Sequence, residues 1–245
     1  MRVGRIPYLN SEPFYVGLTG HELLALPPRA LGQAVADGRI DTGPLSLVDF
    51  FRLEAELTPL PFGIATHGPA RSVVLFSERP VKGLTGAVIG VTDETSTSVQ
   101  ILRLLLAERY GVAPRAWVAA GEPADAVLLI GDRALRALST GGPGTHRIDL
   151  GQEWVEWTGL TCVFARWAVR SAIAPSEREA LALALDRALE QSLATLPLIA
   201  ERRRDVALDP RAAEAYLRGF TYRFGPGEER AIDELRRRLA RLGPP

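Results

Sequence analysis

ARSVVLFS (70–77) and LTCVFARWAV (160–169) are two extended apolar runs that bracket the middle of a 245-residue chain, and their reading decides the fold. Between them the sequence alternates strand and helix: AVIGVT, an amphipathic helix after TSTS, RAWVAA, DAVLLIG, a short helix in DRALRAL, HRIDLG, and the helical QEWVEW. Before them runs another α/β series: RVGRIPYL, a helical run opened by Ser11 and Pro13, ELLAL, RALGQAVADG, RIDTG, and SLVDFFRL with Ser46 at its mouth. After them come only amphipathic helices, 176–196, 209–220 and 227–242, the first keeping Leu181, Leu185, Leu189 and Leu196 near one face.

A tail of helices cannot cover a sheet alone, so it is expected to pack back onto the first α/β unit. That makes the first lobe discontinuous, 1–76 with 168–245, and the second lobe 77–167, with both extended runs passing between lobes. Two α/β lobes joined by two crossings enclose a cleft. The expected fold is therefore α/β and two-lobed, of the type II periplasmic-binding-protein kind. No internal repeat or low-complexity segment interrupts it, and GGPG at 141–144 is a short loop.

Apolar residues make up 47% of the chain, enough to bury a sizeable core. Lys plus Arg and Asp plus Glu both total 29, so net charge gives no argument for nucleic acid or a membrane partner. Arg2, Arg5 and Asn10 break the apolar core that a signal peptide needs, and no apolar run approaches spanning length, so a cytoplasmic location is expected. The single cysteine, Cys162, reads as a small core residue. His21, His67 and His146 have no metal-ligand spacing, and no metal is expected. No Walker or GxGxxG motif follows a strand.

Ligands of open α/β sheets meet the carboxyl ends of strands, where helix N-termini present unpaired N–H groups. Four such mouths can be read: YLNSEP (8–13), GPLS (43–46), TSTS (95–98) and IGD (130–132). They offer Tyr8, Ser11, Pro44, Ser46, Thr95, Ser96, Thr97, Ser98, Gly131 and Asp132 as ligand contacts. Helix capping alone accounts for Ser11, Ser46 or Asp132 taken singly. The four hydroxyls at 95–98 exceed what one cap requires, and the surplus suits a carboxylate or phosphate. Asn10 could donate and accept at once, although a turn-forming Asn is the commoner case. HGPARSVVL (67–75) aims Arg71 or Ser72 at the cleft, with a surface role equally open to Arg71. The Trp residues of GQEWVEWTGLTCVFARW read as packing, with one able to wall the cleft.

In order, GRIPYLNSEPF, ADGRIDTGPLS, GPARSVVLFS, TDETSTSVQILRLLL, AVLLIGDRAL and LGQEWVEWTGLTCVFARW resemble the chorismate dehydratase family of the futalosine route to menaquinone, over roughly residues 3 to 167. The resemblance implies a binding-protein fold turned enzyme, which removes water from chorismate to give 3-[(1-carboxyvinyl)oxy]benzoate without cofactor or metal. It places Asn10 and Ser72 against the substrate as the catalytic pair and makes TSTS a carboxylate-holding loop. His67, Arg71 and Thr161 depart from the family pattern. With no His in the candidate motifs, the expected base is the substrate's own enolpyruvyl carboxylate. Two other readings stay open: a cytoplasmic binding protein for a small carboxylate, and the related 1,4-dihydroxy-6-naphthoate synthase, whose Ser-Pro-Cys-Pro-Asn-Asp-like opening is absent. Oligomeric state is not legible.

Overall fold

The computed structural model describes residues 1–242; positions 243–245, the end of the expected first lobe, lie outside the described residues. The chain begins with β1 (Arg2–Arg5), a 3-10 helix (Leu9–Phe14), β2 (Glu22–Ala25), α1 (Pro28–Ala36), β3 (Thr42–Ser46), α2 (Leu47–Leu53) and the ten-residue β4 (Leu57–Thr66). The middle third contributes β5 (Val73–Ser77), β6 (Val88–Val91), α3 (Thr97–Leu104) with a π-helical extension to Arg109, β7 (Ala116–Ala119), β8 (Ala126–Ile130), α4 (Gly131–Ser139), β9 (His146–Asp149) and α5 (Leu150–Thr158). The last third holds β10 (Cys162–Arg170), α6 (Pro175–Ala194), α7 (Leu196–Arg202), α8 (Pro210–Arg218), β11 (Phe220–Arg223) and α9 (Pro226–Leu242).

The strands form two sheets, ordered β11-β4-β10-β3-β1-β2 and β7-β6-β8-β5-β9. In each, three strands are parallel: β2-β1-β3 in the first and β7-β6-β8 in the second. The fourth position is antiparallel and is filled by β10 in the first sheet and β5 in the second. Each of these two strands directly follows a passage from the other sheet, so the two lobes share one plan without sharing a sequence repeat.

This corrects the expected role of the extended runs. ARSVVLFS ends as a full member of the second sheet, and CVFARWAV lies wholly in the first. The passages themselves are short: 67–72, and 159–161 after α5. Periodicity finds a strand but not its sheet, because an apolar strand reads the same in either. Two strands were not foreseen. LTPLPFGIA carries two prolines, yet β4 tolerates them beside the irregular registers of its pairings with β10 and β11. FTYR, at four residues, is too short to show alternation.

Local chemistry explains most boundaries. Pro28 starts α1 at a position whose N–H needs no partner, and the Ser46 hydroxyl accepts from Asp49 N–H at 3.3 Å to cap α2. Asp149 caps α5, accepting from Gln152 N–H at 3.1 Å. Gly159 ends α5 at φ 69°, a conformation that disfavours any side chain.

The C-terminal helices do return to the first sheet. α6 lays Leu181, Leu185 and Leu189 into a cluster with Phe14, Phe62, Trp167 and Tyr222, where Phe14 and Trp167 pack with ring centroids 5.3 Å apart. Helix α9 reaches both lobes, touching α3 and β10. Trp154 and Trp167 are fully buried, and Cys162 is a buried free thiol pushed well above its ordinary pKa by desolvation.

Gly63 tests the packing of β4 against β10. A Cβ there would lie 2.2 Å from the Phe224 ring and 2.3 Å from the Ala165 carbonyl oxygen, and the backbone cannot yield. Gly63→Ala is expected to destabilise the protein by about 2–3 kcal/mol, read as a lowered urea midpoint at unchanged slope.

Candidate active site

The carboxyl ends of both sheets face one cleft of about 480 Å³, its mouth included. From the first sheet come Tyr8, Asn10, Ser46, Ile64 and Phe164, and from the opposite side Ser72, Thr95 to Ser98, Ile130 and Gly131. Its walls are apolar at Ile6, Ile64, Ile130 and Phe164, with a few polar groups converging between them, the composition of a small-molecule site.

The TSTS loop divides its hydroxyls among distinct tasks. Thr95 Oγ1 accepts from Ser98 N–H at 3.1 Å and caps α3. Thr97 Oγ1 accepts from Val48 N–H at 3.2 Å, reaching across the cleft to the first turn of α2. Among the described residues the hydroxyls of Ser96 and Ser98 have no protein partner, and both line the cleft. Of the three hydroxyls beyond the cap, one is therefore structural and two are available to a ligand.

Asn10 sits in the 3-10 helix with its Oδ1 buried and unpartnered. An unsatisfied buried amide oxygen costs free energy, which a ligand donor facing it would recover. Ser72 Oγ accepts from Tyr216 Oη at 2.8 Å and is fully buried. Ser46 lines the cleft but is engaged with Asp49, donating to its Oδ2 at 2.7 Å.

The lobes meet around this cleft through direct bonds. Tyr8 Oη donates to Glu94 Oε2 at 2.7 Å, and burial together with that carboxylate pushes the phenol pKa up. Arg29 N–H, in the first turn of α1, donates to the Glu94 carbonyl at 3.0 Å. Leu9 N–H donates to Asp132 Oδ1 at 2.9 Å, and Arg203 bridges Asp132 Oδ2 at 2.5 Å and Glu12 Oε1 at 2.6 Å. Burial raises the Asp132 pKa, opposed by the Leu9 amide and Arg203. Gly131, at φ 58°, lies flat against the Tyr8 ring, where a Cβ would come within 2.7 Å of it.

Four expected contacts stand off the wall of the cleft. Ser11 turns its hydroxyl inward to the Ile6 and Tyr8 carbonyls, closing its own turn. Pro44 is buried inside β3, paired opposite Trp167. Asp132 neither caps α4 nor reaches the cleft, because its carboxylate is occupied by Leu9 and Arg203. Arg71 has a left-handed backbone, φ 58°, and borders a separate outer depression with His67 and Gly219. Its N–H donates to Asp149 Oδ2 at 2.5 Å, while Ala70 N–H donates to Oδ1 at 2.8 Å, so Asp149 sets the passage and leaves Ser72 facing in. Among the described residues no Trp walls the cleft; Phe164 does. His67 and Thr161 meet each other and Glu228 beside the two passages, away from the cleft lining.

Sequence reasoning counted Glu94 among the carboxylates of the candidate motifs, with Glu12, Asp93 and Asp132, but did not reach its bond to Tyr8, and it did not reach Asp149, Phe164, Arg203 or Tyr216. Asp149 carried a signal, since Asp followed three residues later by Gln has capping-box spacing. Arg203 lies in a run of arginines with nothing to set it apart. Among the described residues no three His, Cys, Asp or Glu gather to hold a metal ion, and no helix is long and apolar enough to cross a membrane.

The family described as menaquinone biosynthesis matches residues 1–241. The chain belongs to that family. A relative, chorismate dehydratase from Thermus thermophilus, is 32% identical over 238 residues, covering 88% of this chain and 86% of its own. Among solved structures, an Archaeoglobus fulgidus protein superimposes with a TM-score of 0.74 at 17% identity, covering 98% of this chain and 96% of its own. The periplasmic aliphatic sulphonate binding protein SsuA of Escherichia coli gives 0.67 at 15% identity, covering 99% and 85%. These likenesses establish a two-lobed binding-protein fold for this member of the menaquinone-biosynthesis family.

The Asp132 junction is open to test. Asp132→Ala leaves the Leu9 amide without its acceptor and removes one of the three carboxylates around Arg203, which keeps Glu12 and Asp205, and is expected to cost about 2 kcal/mol in denaturant unfolding. Asp132→Asn keeps an acceptor for Leu9 and should fall between that variant and the parent.

Proposed function

We propose that the protein is a chorismate dehydratase, a hydro-lyase that converts chorismate to 3-[(1-carboxyvinyl)oxy]benzoate in the futalosine route to menaquinone, in the cytoplasm. The observation that carries the reading is the unpartnered Asn10 Oδ1, buried in an apolar cleft opposite the free hydroxyls of Ser96 and Ser98. The Thermus thermophilus relative supports the choice of substrate.

Chorismate has two carboxylates, one on the ring and one on the enolpyruvyl side chain, and a two-walled cleft can hold one on each side. The Ser96 and Ser98 hydroxyls, at the positive end of α3, suit the ring carboxylate. Reaction removes the C3 proton and the C4 hydroxyl, and the ring becomes aromatic. As the proton leaves, negative charge spreads through the conjugated ring toward its carboxylate, where fixed donors stabilise it.

A base is needed beside C3. Among the described residues lining the cleft there is no carboxylate and no imidazole; Glu94 lies at the rim, held by Tyr8. The substrate's enolpyruvyl carboxylate fills the role, turned toward C3 by the Asn10 side-chain N–H groups, while Asn10 Oδ1 accepts from the C4 hydroxyl. Ser72 donates to the departing hydroxyl. The carboxylic acid so formed then gives the proton to the departing hydroxide, which leaves as water, so no outside reactant is required.

Ultraviolet absorbance of the aromatic product follows the reaction directly. Purified protein with chorismate should produce that signal, and Asn10→Ala should lower kcat on the order of a hundredfold while the melting temperature holds. Absence of any turnover by the parent protein would overturn the assignment. Loss of turnover in Glu94→Gln with chorismate binding intact would instead remove the substrate-base step and leave the reaction class standing.

A further inference from the structure

The group that fixes the Ser72 hydroxyl comes from the distant C-terminal third of the chain. Tyr216 on α8 is fully enclosed, and its Oη lies 2.8 Å from Ser72 Oγ. The ring is held edge-on to Phe220, with centroids 5.1 Å apart and planes at 79°. Among the described residues Ser72 is the only hydrogen-bond partner of the Tyr216 hydroxyl. Ser72 has one alternative, the Ala70 carbonyl at 3.3 Å, a long bond within its own turn.

Those neighbours fix the direction of the bond. A buried phenol with one partner must donate to it, because otherwise its proton faces apolar side chains. Ser72 Oγ then accepts from Tyr216 and keeps its own proton, which can turn to the weak Ala70 contact or to the cleft. A hydroxyl that already accepts is a stronger donor, since bonds in a chain polarise one another.

We propose that Tyr216 is a positioning residue for the dehydration: it holds Ser72 as an acceptor, so that the serine O–H is aimed into the cleft as a hydrogen-bond donor to the departing hydroxyl of chorismate and keeps its proton. The proposal rests on the assignment of Ser72 in the preceding subsection. Tyr216 itself neither touches substrate nor loses its proton. Burial keeps its phenol far above the ordinary range, so the donor is present at every working pH.

Four variants decide it: Tyr216→Phe, Ser72→Ala, the pair combined, and Phe220→Leu as a packing control that leaves the hydrogen bond in place. Tyr216→Phe should lower kcat about tenfold, the worth of one neutral hydrogen bond, with KM within about twofold of the parent. In the Ser72→Ala background the same change should alter kcat less than about twofold, because the group it acts through is gone. Phe220→Leu should lower the melting temperature and leave kcat unchanged. Equal loss of kcat from Tyr216→Phe in both backgrounds, or loss from Phe220→Leu matching that of Tyr216→Phe, would show a structural role and overturn the proposal. If Ser72→Ala retains full kcat, the Ser72 assignment falls and the proposal with it. If it does not, while Tyr216→Phe retains full kcat, the proposal alone falls.

Discussion

The arrangement of the molecule depends on how backbone donors at the ends of first-sheet elements are satisfied. Leu9 N–H, Arg29 N–H and Val48 N–H each open a helix at the edge of the first sheet, where the helix itself offers them no acceptor. Each is met by an oxygen from across the cleft: the Asp132 carboxylate, the Glu94 carbonyl and the Thr97 hydroxyl. Each bond alone is worth ~1 kcal/mol, but the three lie along one seam and register the two walls against each other. The placement of Asn10 and Ser72 opposite the loop of hydroxyls follows from that registration.

The sequence made the outline of this seam legible and hid its bonding. Helix mouths at 8–13, 43–46, 95–98 and 130–132 were readable because Ser, Asn, Gly and Pro punctuate strand ends for local steric and hydrogen-bonding reasons. Thr95 as a cap belongs to that local chemistry. Thr97 reaching Val48, and Asp132 reaching Leu9, are contacts between residues 49 and 123 positions apart, which no local pattern encodes. The same distinction explains Arg71 and Ser72. The Gly-Pro turn aimed Arg71 or Ser72 at the cleft, but the choice is made by Asp149, far along the chain, gripping the Ala70 and Arg71 amides. Pro44 was misplaced for a different reason, since a proline near a helix start reads as a turn, yet here it occupies a buried strand position opposite Trp167.

Kinship with binding proteins of transport systems concerns the backbone plan alone. What turns such a cleft toward chemistry is the spacing of a few polar groups in an apolar enclosure. Bulk water is displaced from Ile64, Ile130 and Phe164 at little cost, and the remaining dipoles act in a medium of low polarisability. With no carboxylate among the described residues of that lining, a dianionic guest meets no like charge from them.

Helix α9 gives this protein a mechanical character of its own. Near its start Glu229 takes both ends of the Arg166 guanidinium on β10, at 2.7 and 2.8 Å. Two turns later Arg238 pairs with Glu108 at 2.6 Å and lies 3.9 Å above the Trp157 ring, both in the other half of the molecule. A strut fastened at each end shortens the arc through which the halves can swing. Admission of a guest by small sliding displacements along the seam, rather than by a wide jaw-like gape, is the motion such a splint permits.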